Sequence, residues 1–468
     1  MAPLVAGRTQ SGFHALPSPS DAFAARVLLA AAAEKSLDLQ YYIWHGDQTG
    51  YLLFEAVWKA AQRGVRVRIL LDDANTAGLD ETLATLDAHP NIEVRLYNPL
   101  LMRNARALNF VTDFARVNRR MHNKSFNADN QAAIVGGRNV GNEYFGAGTG
   151  AEFNDLDVLA IGPAVRDIAT EFDLYWNSPS AYPAAAIIGA PGEGGAATLE
   201  ARFAANRADP ETGAYLEVLR QTTLVQELIA QRLPIEWAAA RVVRDDPAKT
   251  LDATERKDVL LLSALLPALG QPTSSFDLVS PYFVPGDDGT RALADLARRG
   301  VTVRVLTNSL AATDVAPVHA GYAKRRCDLL RAGVRLFELT PAAAIADANV
   351  AKAIGSSAAV QLHAKTFAVD RERIFVGSFN FDQRSAFLNT EMGVLIESRA
   401  LASRLDATFD DTVPKNAYEV TIGPDGACPV WIERTPGGER RYDVEPGTSA
   451  GKRALVEFLS ILPIDWLL

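Results

Sequence analysis

The sequence predicts an α/β protein of two tandem sandwich repeats related by a pseudo-twofold axis, joined by a helical connector and followed by a small C-terminal β-meander and a terminal helix. Three observations carry the prediction. One order of strands and helices is written twice, the strands of each copy alternate with helices of ten or more residues, and each copy reaches the pattern His-x-Lys-x-x-x-x-Asp. Length agrees, because 468 residues exceed what one hydrophobic core usually organises.

The first copy opens with "LDLQYYIWHGDQTGYLLFEAVWKAAQRGVRVRILLDD" (37–73), the second with "FDLVSPYFVPGDDGTRALADLARRGVTVRVLTNS" (276–309). Both read as an apolar strand, a "GD" turn, an amphipathic helix, "RGV" and a strand alternating Val and Arg. Farther on, "HPNIEVRLYNP" (89–99) answers "RAGVRLFELTP" (331–341). Strands separated by helices imply βαβ units and a mainly parallel sheet. The boundaries follow: a first repeat over 1–180, a connector over 181–255, a second repeat over 256–415 and a terminal unit over 416–468. The connector holds the Gly/Ala/Pro-rich "AAAIIGAPGEGGAA" and helical patterns such as "GAYLEVLRQTTLVQELIAQRL". The terminal unit begins with short strands split by turn residues, "YEVTIGPDGACPVWIERTPGGERRYDV".

Composition is that of a folded globular chain, 48% apolar and 22% charged. A net charge of −9 argues against a protein devoted to wrapping nucleic acid. No signal peptide or anchor is visible at the N-terminus, and the longest apolar run, "VLLLSALLPAL" (259–269), is too short to span a bilayer and is broken by Pro267. Cys327 and Cys428 lack the spacing of a disulfide framework or zinc site and read as unpaired packing or surface residues. His14, His45, His89 and His319 show no metal-ligand spacing, so neither a metal nor another cofactor is expected.

The motif carries the chemistry. In "MHNKSFNADNQAAIVGG" and "LHAKTFAVDRERIFVGS" the His, Lys and Phe alternate and so share one face of a hairpin strand. One copy would arise by chance on the order of a few percent of the time. Two copies at equivalent places, followed by "GGRN" (136–139) and "GSFN" (377–380), point to function. A phosphodiester under displacement spreads negative charge over its oxygens, which paired lysines and asparagine amides stabilise. One imidazole can attack phosphorus while the other protonates the departing alkoxide. The duplication thus builds one site.

These residues resemble the phospholipase D superfamily, whose repeated motif stands intact at His122, Lys124, Asp129 and at His363, Lys365, Asp370. Within it the chain is similar to the bacterial cardiolipin synthases, and through "LDLQYYIW", "FNDLDVLAIGPAV" and "ILPIDWLL" to their C-type. The resemblance implies two phospholipase D-like α/β sandwich repeats and a metal-free, two-step reaction. In it His122 forms a phosphohistidine, and His363 protonates the leaving group and then deprotonates the incoming alcohol. Lys124, Lys365, Asn139 and Asn380 would hold the phosphoryl oxygens. A downstream acid would orient each histidine; "FNDLDV" and "NTEMGV" offer Asp155 and Glu391, with Asp157 competing in the first half. Asp129 and Asp370 stand either among the catalytic residues or, preferably, as turn residues fixing the hairpins.

The expected activity is transfer of a phosphatidyl group onto phosphatidylglycerol to make cardiolipin. Phosphatidylethanolamine is a further donor that the C-type resemblance implies, and a helper protein a further partner. Hydrolysis by a phospholipase D, DNA cleavage by a family nuclease and a non-catalytic lipid-binding scaffold are the rivals. No nucleic-acid partner is expected, and the protein would lie peripherally on the cytoplasmic membrane, on its cytoplasmic face. Two segments qualify as membrane contacts. One is "LMRNARALNFVTDFARVNRR", where Arg103, Arg106, Arg116, Arg119 and Arg120 line either a solvated face or a headgroup-docking surface. The other is the terminal helix, with Leu455, Phe458, Leu459 and Leu462 on one face, Pro463 ending it, and Ile464, Trp466, Leu467 and Leu468 beyond; packing on its own domain is the alternative. His319 and Tyr322 lie where the family places active-site loops, with a solvated helix as the other reading.

Overall fold

The computed structural model describes the chain except residues 1–4, 6, 149–151, 253–256, 314, 342–359 and 463–468. Two mixed sheets form its centre. The first runs, edge to edge, through Glu236–Ala238, Ser11–Leu16, Asp157–Ile161, Ala132–Gly136, Ser125–Ala128, Ser36–Ile43, Arg66–Asn75, Ile92–Tyr97 and Ala181–Pro183. The second runs through Ala240–Arg244, Met392–Ile396, Arg373–Gly377, Thr366–Val369, Ser275–Val279, Thr302–Asn308 and Arg335–Leu339. It continues into Ala417–Thr421, Val430–Thr435 and Gly438–Tyr442. The two orders superpose strand for strand over the repeats, which is the duplication read from the sequence.

The sheets are not mainly parallel. Only the pairings among Ser36–Ile43, Arg66–Asn75 and Ile92–Tyr97, and their counterparts among Ser275–Val279, Thr302–Asn308 and Arg335–Leu339, are parallel. Helical crossovers make those pairs, whereas the motif strands return through tight turns and must pair antiparallel. In both turns two successive residues lie in the left-handed region, Asp129 (φ 55°) with Asn130 (φ 52°) and Asp370 (φ 54°) with Arg371 (φ 56°). That is the backbone of a type I′ hairpin, a conformation Asp and Asn tolerate.

Alternation along the strands sorts the core. Ala132 and Ile134 face the helices Pro19–Ala32 and Gln48–Gln62, while Ala133 and Val135 face the other repeat. There they meet Ile374, Val376, Met392 and Val394, so the two sheets pack through one shared apolar layer. The segment between the repeats does more than connect. Besides the helices Gly195–Ala208, Pro210–Arg220 and Thr223–Ile229, it supplies an edge strand to the first sheet at Glu236–Ala238 and, two residues on, one to the second at Ala240–Arg244. The C-terminal meander likewise extends the second sheet through antiparallel pairing with Arg335–Leu339.

Contrary to the sequence reading, Cys327 and Cys428 form a disulfide. It ties the helix Arg326–Arg331 to the loop before Val430–Thr435, across a separation of 101 residues that no local spacing reveals. Closing a loop of that length restricts the unfolded chain, worth about 4 to 5 kcal/mol in the chain-entropy account.

Candidate active site

Each motif histidine stands three residues before its hairpin strand and leans on the other repeat. The His122 backbone N–H donates to the Thr390 carbonyl (2.9 Å) and the Thr390 N–H to the Arg120 carbonyl (2.9 Å). In the second half, Val360–Leu362 pairs in parallel with Glu152–Asn154, and the N–H groups of His363 and Ala364 both donate to the Asn154 carbonyl (2.8 and 3.0 Å). The residue after each partner is an acid. His122 Nδ1 therefore meets the Glu391 carboxylate at 2.8 and 3.0 Å, and His363 Nδ1 meets Asp155 Oδ2 at 2.5 Å. Both acids aligned from the sequence reach a ring, but crosswise, each serving the histidine of the opposite repeat.

The competing acid, Asp157, is occupied elsewhere. It lies two residues on, in the strand Asp157–Ile161, where its carboxylate takes Arg26 Nη2 at 2.9 Å and the Arg138 backbone N–H at 3.2 Å, all buried. Gly137 makes room for Asp155, since a Cβ there would stand 2.2 Å from its Oδ1. The equivalent residue of the second repeat is Ser378. Its hydroxyl donates to Glu391 Oε2 (2.5 Å), and Ser385 donates to Oε1 (2.8 Å).

The motif aspartates are far from this chemistry. The Asp129 carboxylate accepts the backbone N–H groups of Glu34, Lys35 and Ser36, and Asp370 those of Thr273, Ser274 and Ser275. Against the cost of burial, those donors hold Asp370 at about 2. Both aspartates pin the hairpin turns and take no place beside the rings, which corrects their inclusion among catalytic residues.

Lys124 and Lys365 are buried, each ammonium donating to the carbonyl of its own motif histidine. Charges from both halves converge. Burial, then Lys124 and Lys365, push the His122 imidazole well below its ordinary value. Burial and Lys365, with Asp155 opposing, push His363 down to about 3. Burial works to raise Asp155, but His363 and Lys365 outweigh it and hold this carboxyl low. Glu391 goes the other way, lifted by burial to about 7 against the pull of Lys124 and Ser378. The resting pairs are thus a neutral His363 beside an ionised Asp155, and a neutral His122 beside a carboxyl that titrates near neutrality. Each imidazole side chain keeps 10% of its surface open.

The asparagines differ. Asn139 spends its amide within the fold, its oxygen accepting the Ile43 N–H (3.1 Å) and its nitrogen donating to the Tyr144 hydroxyl (2.9 Å). Among the described residues, Asn380 has a buried side-chain oxygen without a hydrogen-bond partner. Aromatic rings frame the imidazoles: Tyr42 stands edge-on to His122 with centroids 5.0 Å apart, Tyr144 edge-on to His363 at 5.2 Å, and Phe153 stacks on His363 at 5.0 Å. None of these aromatics was singled out in the sequence, although "LDLQYYIW" and "AEFNDLDV" hold two of them beside recognised motifs.

His319 lies outside the site. It is buried on the helix Ala316–Ala323, where it meets Arg326 (2.8 Å) and the Glu445 carboxylate (3.1 Å), so it is neither solvated nor catalytic. Tyr322 packs edge-on against it at 5.7 Å.

The family described as "Cardiolipin synthase, PLD-like domain" matches residues 28–176 and 265–413, once per repeat. The chain belongs to this family. It is 46% identical over 459 residues to Cardiolipin synthase C of Escherichia coli (strain K12), covering 98% of this chain and 96% of that protein. It is 25% identical to Major cardiolipin synthase ClsA of Bacillus subtilis (strain 168), over 86% of this chain and 68% of that one. Among solved structures it is similar to the phosphatidylserine synthase of Haemophilus influenzae Rd KW20, with a TM-score of 0.61 at 13% identity, over 98% of this chain and 97% of the other. That likeness shows a shared fold. The family's twofold match coincides with the two halves that exchange acids across the site.

Proposed function

We propose that this protein is a phosphatidyl transferase that makes cardiolipin from phosphatidylglycerol through a phosphohistidine. The observation that carries the chemistry is the pair of buried imidazoles, each held at Nδ1 by a carboxylate from the opposite repeat. A carboxylate at Nδ1 fixes the tautomer and leaves Nε2 for the reaction. The substrate is supported by the full-length likeness to Cardiolipin synthase C.

In the first step His122 Nε2 bonds to phosphorus, the bond from phosphorus to the glycerol headgroup breaks, and His363 gives its proton to the departing oxygen. In the second, the headgroup hydroxyl of another phosphatidylglycerol passes its proton to His363 and its oxygen takes phosphorus, freeing His122. The arriving phosphate brings its negative charge beside Lys124, Lys365 and His363, and there it favours the imidazolium of His363 that the first step requires. Asp155, ionised beside His363, stabilises the imidazolium that the first step requires. Glu391, ionised above about 7, accepts the Nδ1 proton of His122 and leaves Nε2 nucleophilic. Asn380 has a side-chain oxygen ready to accept from a substrate hydroxyl. Asn139 acts at one remove, by placing Tyr144.

Among the described residues no helix is long and apolar enough to cross a membrane. Peripheral contact is supported by apolar side chains that the fold leaves outside. Leu101, Leu108, Phe110, Val111 and Phe114 are exposed just before His122, while Arg103 and Arg106 turn inward to Asp73 and Asp80 and Arg120 to Asp72. Of this stretch the apolar residues, and not Arg103, Arg106 or Arg120, are offered to a lipid surface. The terminal helix Ala450–Ile461 divides itself: Val456 packs on Leu310 and Ala320, and Leu455, Phe458 and Ile461 face out. Its expected continuation through Pro463 to Leu468 lies outside the described residues. The Cys327–Cys428 disulfide favours the oxidising side of the membrane over the cytoplasmic face expected from the sequence.

Mass spectrometry of lipids after incubating the purified protein with phosphatidylglycerol, with and without phosphatidylethanolamine, tests the reading. Cardiolipin and free glycerol should form from phosphatidylglycerol alone. Phosphatidic acid as the sole product would mean that water, not an alcohol, takes the phosphatidyl group.

A further inference from the structure

We infer that the second repeat carries a binding cavity for one acyl chain of an anionic membrane phospholipid, separate from the reacting histidines. The apolar run at 259–269, too short to span a bilayer, folds as the helix Leu261–Leu269. Between it and the helix Gly286–Arg298 opens a cavity of about 680 Å³. Leu262, Leu265 and Leu266 wall one side and Leu293 and Leu296 the other. Phe276, Phe367, Phe379 and Phe381 also line it.

The internal duplication shows that this opening is a departure, not a property of the fold. The counterpart helices in the first repeat are Pro19–Ala32 and Gln48–Gln62, which pack on each other. Their groove is then covered by the connector helices, whose Phe203, Leu219 and Leu224 are buried in the same core, leaving about 240 Å³. In the second repeat the first helix has 9 residues against 14, and the two helices flank the cavity. Among the described residues no segment covers it. An acyl chain would supply the apolar contacts that the connector supplies in the first repeat, and a volume of this order lies within the range of ligand sites.

Charge at the rim selects the headgroup. Arg298, Arg299 and Asp295 line the mouth, and Asp295 is taken by Arg298 at 2.7 Å. Arg299 reaches only the Gln271 side-chain oxygen, at 3.4 Å, and no carboxylate pairs with it among the described residues. One cation is left over an apolar slot, the complement of a phosphate above a hydrocarbon chain. Phe379 and Phe381 bracket Asn380, and Phe367 follows Lys365 by two residues on the same strand face, so a lipid here would also support the wall of the active site.

The site stands independently of transfer, and its test is made so that the two readings fail separately. Vesicles containing phosphatidylglycerol with a photoreactive acyl chain are irradiated with the full-length His122→Ala protein, in which turnover plays no part. Label is expected on the peptides of Leu261–Leu269 or Phe379–Phe381. It should fall about tenfold in Leu266→Glu, a change at an exposed mouth position, and in Arg299→Glu, with thermal stability unchanged. Label confined to the exposed 101–114 stretch, label indifferent to both substitutions, or labelling of the cavity by a photoreactive free fatty acid but not by the phospholipid would each overturn the proposal. So would dimerisation that Leu266→Glu abolishes.

Discussion

Replacing His122 or His363 by Ala should each lower cardiolipin formation by about four orders of magnitude, and the double variant should be little worse than either single one. Groups that act as one unit show this non-additivity, because removing any member disables the step. The expectation follows from a site in which Lys365 acts on His122 and Lys124 on His363 although the two motifs lie some 240 residues apart. Initial rates of cardiolipin appearance measure it. Two independent sites would instead leave each single variant with about half the activity, and only the double variant inert.

Glu391→Gln and Asp155→Asn should each reduce turnover by about ten- to a hundredfold, the range for a partner that orients a reacting ring. The crossed geometry makes their signatures differ. Glu391 holds His122, so Glu391→Gln should slow formation of the phosphohistidine. It should also remove a limb of the pH profile: with this carboxyl lifted to about 7, it is protonated below that pH and no longer accepts the Nδ1 proton, so the wild-type first step weakens as pH falls through 7. Asp155→Asn acts on His363 and should impair proton delivery while leaving that limb in place. A leaving group that departs without protonation should therefore rescue Asp155→Asn and not Glu391→Gln. The reverse pattern would show that each acid serves the histidine of its own repeat. Asp157→Asn offers a contrast, since it leaves Arg26 and Arg138 short of a buried carboxylate and should lower the unfolding temperature rather than shift the pH profile.

The duplication, the α/β alternation and the motif were legible because each is written in local pattern: strand, turn and helix in one order, and His-x-Lys on one strand face. Asp155 and Glu391 were legible because the family resemblance implies a downstream acid for each histidine and "FNDLDV" and "NTEMGV" align to offer them, with Asp157 left competing. What alignment could not give was the exchange, which depends on Val360–Leu362 running beside Glu152–Asn154 and on Thr390 bonding with His122 and Arg120. The disulfide was hidden for the same reason, two cysteines brought together by the meander joining the second sheet. The inward turn of Arg103, Arg106 and Arg120 was not legible, because sequence shows their charge and not the carboxylates of Asp72, Asp73 and Asp80, which lie one strand or one helix away. The βαβ stretches suggest a parallel sheet, but each motif hairpin adds two strands and the strands beyond it and at the edges also pair antiparallel.

The central claim is a single covalent step at one histidine, and trapping the adduct tests it most directly. His363→Ala protein, given a phosphatidyl ester of a good leaving group that needs no proton, should accumulate a phosphatidyl mass increment on the peptide containing His122, read by mass spectrometry under conditions that preserve phosphohistidine. The increment should be absent from His122→Ala protein treated alike. An adduct on His363 in the wild-type enzyme, or cardiolipin formation at the normal rate by His122→Ala protein, would contradict the account.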